Sequence, residues 1–371
     1  MLKFKLKKHM RKRYIGIMSG TSLDGIDIAL CQIDEEGCRL EASLSIPFDN
    51  RLKEKILSII RGTTTLKEVG EIDCHLALEF AKAVKLLLEQ EGLESKEIVA
   101  IGSHGQTLWH EPNGEYPFSM QLGNPSVLAV ETGIDVVADF RSKDVAVGGQ
   151  GAPFAPTFHR ELFGHIDGCA VVNIGGMANI SILSSKLIGY DSGCGNVLMD
   201  LWTSECLGRA YDSDGAWAES GTLHESLLNN LLSDNYFKLN YPKSTGREYF
   251  NKSFLRKYLE PFDKISEEDI QATLLALTVK TIANEIKKFS IKKLLVCGGG
   301  ARNGYLMREL QLELSTVDVD TTDSYGVSSD DMEAMIFAWF AFKRLRNENI
   351  DLKTVTGAKD NRILGGIYAS N

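Results

Sequence analysis

The chain has 371 residues, 43% hydrophobic and 25% charged, which is enough globular sequence for two cores. A formal net charge of -9 argues against a nucleic-acid or membrane-surface binder, since such proteins carry a basic face. The seven cysteines are scattered and odd in number, with no CxxC pair and no histidine at ligand spacing; they read as reduced thiols in the cytoplasm, not as a disulfide framework or zinc cluster.

Residues 1–13, MLKFKLKKHMRKR, read as a basic N-terminal extension without the apolar core of a secretory signal. No later run approaches the roughly 20 apolar residues of a membrane span. From Tyr14 to about Phe48, alternating apolar and polar residues with Gly-rich breaks predict a hairpin and a third strand. Helical periodicity follows over Arg51–Ile60 and Leu66–Gln90, the second amphipathic through Leu76, Phe80, Ala83, Val84 and Leu87. IVAIGSHG reads as a buried strand ending at Gly and His; YPFSMQLGN, PSVLAVETG and DVVADF read as strand, helix and strand. AVGGQGAPFAP clusters Gly and Pro without periodicity and reads as a linker. The expected domains are 14–145, completed by the C-terminal segment, and 146–371.

The second half restarts the pattern: CAVVNIGGMANISILS is strand, Gly turn, strand. Helices are expected near Asn196–Leu207 and Glu219–Leu232. SEEDIQATLLALTVKTIANEIKKF is a long helix with Ser266 as N-cap and acidic residues in its first turn. KKLLVCGGGARNGYLMREL is a strand that runs through three glycines into a helix; TVDVDTT is a last strand, and DDMEAMIFAWFAFKRL a helix apolar over much of its surface.

Three glycine turns, Gly20 to Gly25, Gly175–Gly176 and Gly298–Gly300, each follow an apolar strand. Glycine there either lets backbone N–H groups converge on phosphate oxygens or merely supplies positive φ. All three together point to a nucleotide held between two similar domains. None is a Walker loop, since no GK[ST] follows, and GGG lacks the GxGxxG spacing. If the first turn holds phosphates, Asp24 needs Mg²⁺ between itself and them; otherwise it is an ordinary Asp-Gly turn residue. Asp191, read at a strand end in GYDSGCGNVLMD, is placed either to take a proton from an attacking oxygen or only to shape its turn. His104, in IGSHGQTLWHEPNG, suits hydrogen bonding to a polyol or amide ligand, or a structural role. Asp139, Arg141, Lys143 and Asp144 form a cluster that binds an anionic group or makes salt bridges.

GIMSGTSLDGID, GSHGQT, DVVADFRSKDVAVGGQGAP, VVNIGGMANIS, YDSGCGNVLMD, PKSTGRE, VCGGGARN and DMEAMIFAW, in order from about Tyr14 to the C-terminus, resemble the anhydro-N-acetylmuramic acid kinase family. The resemblance implies an α/β fold of two ribonuclease H-like (actin-like ATPase) domains with an interdomain nucleotide cleft. It implies ATP and Mg²⁺ as cofactors, water and 1,6-anhydro-N-acetylmuramic acid as substrates, and a cytoplasmic homodimer without nucleic-acid or membrane partners. Residue by residue, it makes Ser19, Gly20, Thr21, Ser22, Leu23, Asp24, Gly25, Ile26 and Asp27 the first phosphate loop. Gly175 and Gly176 become the second loop, and Gly298, Gly299 and Gly300 the adenosine side. Asp191 takes the catalytic position and Glu333 faces the sugar; read with the residues themselves, His104 and Gln106 are further sugar-binding candidates and Asp24 the candidate for Mg²⁺. Ser192 and Cys194 depart from the family pattern, which has Cys and Pro there. Two readings compete: a non-catalytic actin- or Hsp70-like nucleotide switch, and a conventional hydroxyl kinase of the same fold. Dependence of ATP turnover on an anhydrosugar separates the switch from the kinases.

Overall fold

The computed structural model describes residues 11–20, 23, 25–262 and 264–371. Thr21, Ser22 and Asp24 therefore lie outside the described residues, as does most of the basic extension. The chain forms two compact units, one running to Phe158 and resuming at Asp331–Asn371, the other His159–Asp330.

The first unit opens with β1 (Lys12–Ser19), β2 (Gly25–Asp34) and β3 (Gly37–Pro47), an antiparallel meander whose alternation was visible in the sequence. Helices α1 (Asn50–Ile60) and α2 (Leu66–Glu91) follow. A capping box closes the start of α2: Thr65 accepts from Glu68 N–H and the Glu68 carboxylate accepts from Thr65 N–H, a contribution of about 1 kcal/mol. Gly92, at φ 65°, ends it in the left-handed conformation that glycine adopts without strain. Then come β4 (Ile98–Glu111), β5 (Phe118–Leu122), α3 (Pro125–Thr132), β6 (Val136–Ala138) and α4 (Ser142–Ala146). Strand β4 runs six residues past the expected end at Gly105, because β5 folds back on it from Gln106 onward.

The expected linker is packed structure. Asp144 is buried and accepts from Gly151 N–H at 2.7 Å and from the Thr356 hydroxyl at 2.8 Å. Those bonds tie 144–151 into the first unit, and the chain leaves it within α5 (Ala155–Phe163), at Phe158/His159 and not at 145/146.

The second unit contains β7 (Cys169–Ile174), β8 (Met177–Ile182), β9 (Ile188–Cys194), α6 (Val197–Leu207), α7 (Ala216–Ser220) and α8 (Glu225–Leu232). The single helix expected over 219–232 is broken at Gly221, where a Cβ would stand 2.1 Å from the Glu268 carbonyl oxygen. Next are α9 (Asn235–Lys238), α10 (Lys252–Leu259), α11 (Glu267–Ile286), β10 (Lys293–Cys297), α12 (Gly304–Glu313) and β11 (Asp318–Thr321). Ser266 caps α11 as expected, its hydroxyl accepting from Asp269 N–H at 3.2 Å. The chain then returns to the first unit as α13 (Met332–Leu345), α14 (Lys353–Thr356) and β12 (Gly366–Tyr368).

Both sheets place strands in the same order. In the first it is β12-β6-β4-β1-β2-β3, with β5 paired to β4; in the second, β11-β10-β7-β8-β9. Each is a three-stranded antiparallel meander whose first strand also pairs in parallel with a later one, β1 with β4 and β7 with β10. The second sheet has the 3-2-1-4-5 order of the ribonuclease H-like arrangement that the resemblance implied, and the first has it too once β6 takes the fifth place, with β5 branching from β4 and β12 added at the edge. Helix α13 lies on β1, β2 and β4, and residues 334–342 are all buried, which is why no polar stripe marks it in sequence. Gly16 and Gly102, cross-strand partners, admit it: a Cβ on either would sit 1.9 Å from the backbone oxygen of Ala334 or Phe337.

Candidate active site

In the second unit, Asp191 sits within β9, three residues before the strand ends. Its carboxylate accepts from the Asn179 side-chain amide on the neighbouring strand β8, from Thr245 N–H at 2.9 Å and from the Ser244 hydroxyl at 3.1 Å. Its own backbone is pinned as well: the carbonyl accepts from the Tyr236 hydroxyl at 2.8 Å, and the N–H donates to Lys243 O at 3.1 Å. Burial raises the Asp191 pKa above the ordinary carboxylate range, and the three donors oppose that rise. The result is a fixed carboxylate with raised proton affinity, as a general base requires. Ser192 and Cys194, the departures from the family pattern, point into the fold: the Ser192 hydroxyl donates to Ala178 O at 3.2 Å and Cys194 is buried in the core.

The turn between β7 and β8 is Gly175–Gly176. Its carbonyls accept N–H groups at the entry to α6: Asn196 N–H meets Gly175 O at 2.8 Å, and Gly195 and Val197 N–H meet Gly176 O at 2.9 and 3.2 Å. The outer side of the turn is open, since a Cβ on either glycine would meet no atom closer than 3.7 Å. The three later glycines divide their work. Gly298, at φ 79°, and Gly300 are packing positions, where a Cβ would strike Asn173 Oδ1 at 2.2 Å and Ile174 Cγ2 at 2.4 Å. Gly299 alone lines a cavity of about 430 Å³, together with Asn196, Asp200, Asp212, Asp214, Arg302 and Asn303. Burial pushes the Asp200 carboxyl up to about 6, with Asp212 adding to the rise and Arg247 opposing it.

In the first unit, the Ser19 hydroxyl donates to Gln106 Oε1 at 2.5 Å, and Gln106 Nε2 donates to Thr107 O at 3.2 Å. Both residues are buried, so the β1 end is locked to β4 by its own side chains. Gly20 O accepts from Leu23 N–H, and Leu23, at φ 57°, and Ile26 lie in the hydrophobic core. Gly25 packs against β3, where a Cβ would stand 2.3 Å from Ile46 O. Asp27 accepts from the Ser45 hydroxyl at 2.7 Å.

His104 is buried, and its Nε2 accepts from Arg141 Nη2 at 2.8 Å and Nε at 3.1 Å. A ring nitrogen that accepts from guanidinium carries no proton, so the proton is on Nδ1, which has no hydrogen-bond partner. Burial and then the Arg141 charge hold the His104 pKa well below its ordinary value, so the ring is neutral and positions Arg141. Arg141 also donates to Gly151 O at 2.5 Å and stacks 4.9 Å from the Phe154 ring; burial brings its pKa down to about 10, leaving it charged at neutral pH. Glu333, in the first turn of α13, is solvent-accessible but crowded by protein atoms. Desolvation and the nearby Asp27 raise its pKa, and Arg141 lowers it. A cavity of about 310 Å³ is lined by Ser103, His104, Gly105, Gln121, Asp139 and Ser142. Ser103 Oγ, like His104 Nδ1, is buried there without a partner.

The residues that sequence reasoning missed are the partners of Asp191. Asn179 lies 12 positions away, and Ser244 and Thr245 lie 53 and 54 positions away. Their one visible signal is the density of polar and glycine residues in PKSTGRE, in a stretch otherwise poor in pattern.

A sequence model described as anhydro-N-acetylmuramic acid kinase matches residues 12–370. An anhydro-N-acetylmuramic acid kinase of Sulfurovum sp. (strain NBC37-1) is 54% identical over 96% of this chain and 99% of its own length. One from Sulfurimonas denitrificans (strain ATCC 33889 / DSM 1251) is 52% identical over 97% of this chain and 100% of its own. A solved ROK family glucokinase from Streptomyces griseus, in complex with glucose and AMPPNP, is 14% identical over 88% of this chain and 97% of its own, with a TM-score of 0.39, a likeness too slight to carry weight beside the sequence matches. The chain belongs to the anhydro-N-acetylmuramic acid kinase family.

Proposed function

We propose that the protein opens 1,6-anhydro-N-acetylmuramic acid with water and transfers the γ-phosphoryl group of ATP to O6, giving N-acetylmuramic acid 6-phosphate and ADP in cell-wall recycling. The observation that carries this is Asp191, a half-buried carboxylate of raised pKa held by three donors. In the reaction Asp191 takes a proton from water as its oxygen bonds to C1. The C1–O6 bond breaks, O6 bonds to the γ-phosphorus, and the bond from that phosphorus to the β–γ bridging oxygen breaks to release ADP. Attack opposite the departing O6 inverts C1.

ATP fits the second unit on two features: the open outer side of the Gly175–Gly176 turn for phosphates, and the cavity at Gly299 for the nucleoside. The unpartnered Ser103 Oγ and His104 Nδ1 suit the hydroxyls and amide of an amino sugar, with Arg141 and Glu333 as further contacts. Oxygen donors suited to Mg²⁺ are present at Asp27, beside Glu333, while Asp24, which the sequence assigns to it, lies outside the described residues. Mg²⁺ would neutralise phosphate charge as it develops. A homodimer is the expected assembly, checked by light scattering on the eluting peak, and the cytoplasm its expected location. Among the described residues no helix is long and apolar enough to cross a membrane.

Two measurements test the proposal. Product formed in H₂¹⁸O should carry the label at C1; unlabelled phosphosugar means a conventional hydroxyl kinase instead. Asp191→Asn should lower kcat by about two to four orders of magnitude, the range for loss of a general base. Anhydrosugar affinity should change less than about tenfold. Near-normal turnover in that variant rules Asp191 out as the base.

A further inference from the structure

The stretch PKSTGRE, residues 242–248, is built as a strap with two anchors. At one end Lys243 is 8% exposed, with its ammonium 2.8 Å from Glu285 Oε1 and 5.0 Å from the centre of the Tyr236 ring. The other Glu285 oxygen accepts from the Tyr190 hydroxyl at 3.0 Å and from Lys288 at 2.5 Å. A buried pair of this kind adds little net stability over apolar packing, and its use here is to fix position. At the other end Gly246 O accepts from Tyr249 N–H at 3.0 Å and Phe250 N–H at 3.1 Å, and Phe250 is fully buried in the core. Between the anchors, Ser244 and Thr245 hold Asp191, as described above.

Arg247 stands on the same strap. Its side chain is exposed and makes no hydrogen bond or ion pair with any described residue, acting on Asp200 through longer-range charge alone. A Cβ on Gly176 would lie 3.7 Å from both its Nε and its Nη2, so the guanidinium sits against the open side of the glycine turn. Asp191, Asp200, Asp212 and Asp214 give the surrounding surface a negative character. The arginine that lines the neighbouring cavity, Arg302, is paired with Asp330. A triphosphate at this turn would meet carboxylates, and Arg247 sits against the turn with its donors uncommitted to any described residue.

We infer that Arg247 is a catalytic residue that donates hydrogen bonds to the γ-phosphoryl oxygens of ATP at the Gly175–Gly176 turn. This rests on the proposed kinase reading. Arg247 gains and loses no proton: the bond from the γ-phosphorus to the β–γ bridging oxygen breaks, the bond to O6 forms, and the guanidinium follows the charge spread over the equatorial oxygens. The strap thereby carries, on one short piece of backbone, both the donors that hold the base Asp191 and the guanidinium that meets the phosphate.

The test compares Arg247→Ala and Arg247→Lys with the wild-type enzyme in steady-state kinetics, in calorimetry with AMPPNP and with ADP, and with millimolar guanidinium added. The expected results are a kcat lower by about 100-fold or more in Arg247→Ala, with a smaller loss in Arg247→Lys. Affinity for AMPPNP should weaken about tenfold while that for ADP changes less than about twofold. Guanidinium should restore part of the Arg247→Ala rate. Normal kcat in Arg247→Ala, or equal weakening of AMPPNP and ADP without guanidinium rescue, overturns the inference. A wild-type enzyme that binds AMPPNP but does not phosphorylate the anhydrosugar overturns the kinase reading instead, and the AMPPNP to ADP comparison still decides what Arg247 contacts.

Discussion

In the first unit, Gly16 and Gly102 face each other across β1 and β4 beneath α13, and a Cβ on either would collide with helix backbone at 1.9 Å. In the second, Gly175 and Gly176 turn at the end of β7, and a Cβ there would meet nothing closer than 3.7 Å. Two sheets of one topology thus employ the same residue for opposite purposes. Below α13 the missing side chain admits a helix; at the β7–β8 turn it leaves the surface uncrowded, where the proposed phosphates would lie. A glycine after a strand is therefore no evidence of a phosphate loop until its surroundings are known. Gly25, Gly298 and Gly300 make the point, since each was assigned to a loop and each is packed against protein.

The sharpest way to break this comparison is Gly102→Ala. Forcing α13 off the sheet should destabilise the first unit by about 3 kcal/mol or more, the upper end of overpacking costs, read by urea denaturation. A wild-type midpoint would show that the helix yields easily and that Gly102 has no packing role.

Buried histidines extend the contrast. His104 in the first unit is committed to Arg141, whereas the buried ring of His159 in the second is hydrogen-bonded to the Ser181 hydroxyl through Nδ1 at 2.8 Å, with Nε2 unpartnered among the described residues. Burial lowers the His159 pKa to about 3, so the folded chain keeps the ring neutral where the unfolded chain, near 6.5, protonates it. Its contribution is complete above the unfolded pKa and is lost as pH falls toward the folded one, with a slope of about 1.4 kcal/mol per pH unit. Stability curves at pH 7 and pH 5 should therefore differ less in His159→Gln than in wild type, by about 2 kcal/mol. Equal pH dependence in the two proteins would remove His159 from the acid response.

The smallest effect on folding is expected at Gly176→Ala. With no atom closer to the new methyl than the Arg247 guanidinium at 3.7 Å, stability should stay within about 0.5 kcal/mol of wild type, while KM for ATP rises about tenfold as the methyl obstructs phosphate approach. A large stability loss with unchanged KM would put Gly176 in the packing class with Gly102.

Local pattern carried much of the fold. The two hairpins, the capped start of α11 and the order of strands and helices were legible because each depends on residues adjacent in sequence. Asp191 could be singled out in the sequence as a candidate at a strand end, although the strand continues three residues past it. Its donors could not, because Thr245 and Ser244 reach it over an intervening run of four helices, α6 to α9, a closure that no periodicity records. Lys243 misleads for a related reason: in sequence it is one more surface lysine, and only the buried Glu285 carboxylate explains its place in the interior. The segment 144–151 looked like a linker because its order comes from side-chain bonds to Asp144, one of them from Thr356, 212 positions away.

The return of α13 has a consequence for how the chain is made. Residues 159–330 are contiguous, so the second unit has all its strands as soon as they leave the ribosome. The first unit must wait for 331–371, because Gly16 and Gly102 have nothing above them until α13 is synthesised. Domains fold largely as units in the order they are completed, so the later-starting unit should be the first to mature. A translation-arrested chain released at residue 330 should then yield a protease-resistant core from the second unit and a digested first unit. Until its last helix arrives, the nascent protein presents the apolar floor of β1 and β4 to the cell, the surface a chaperone would be expected to shield.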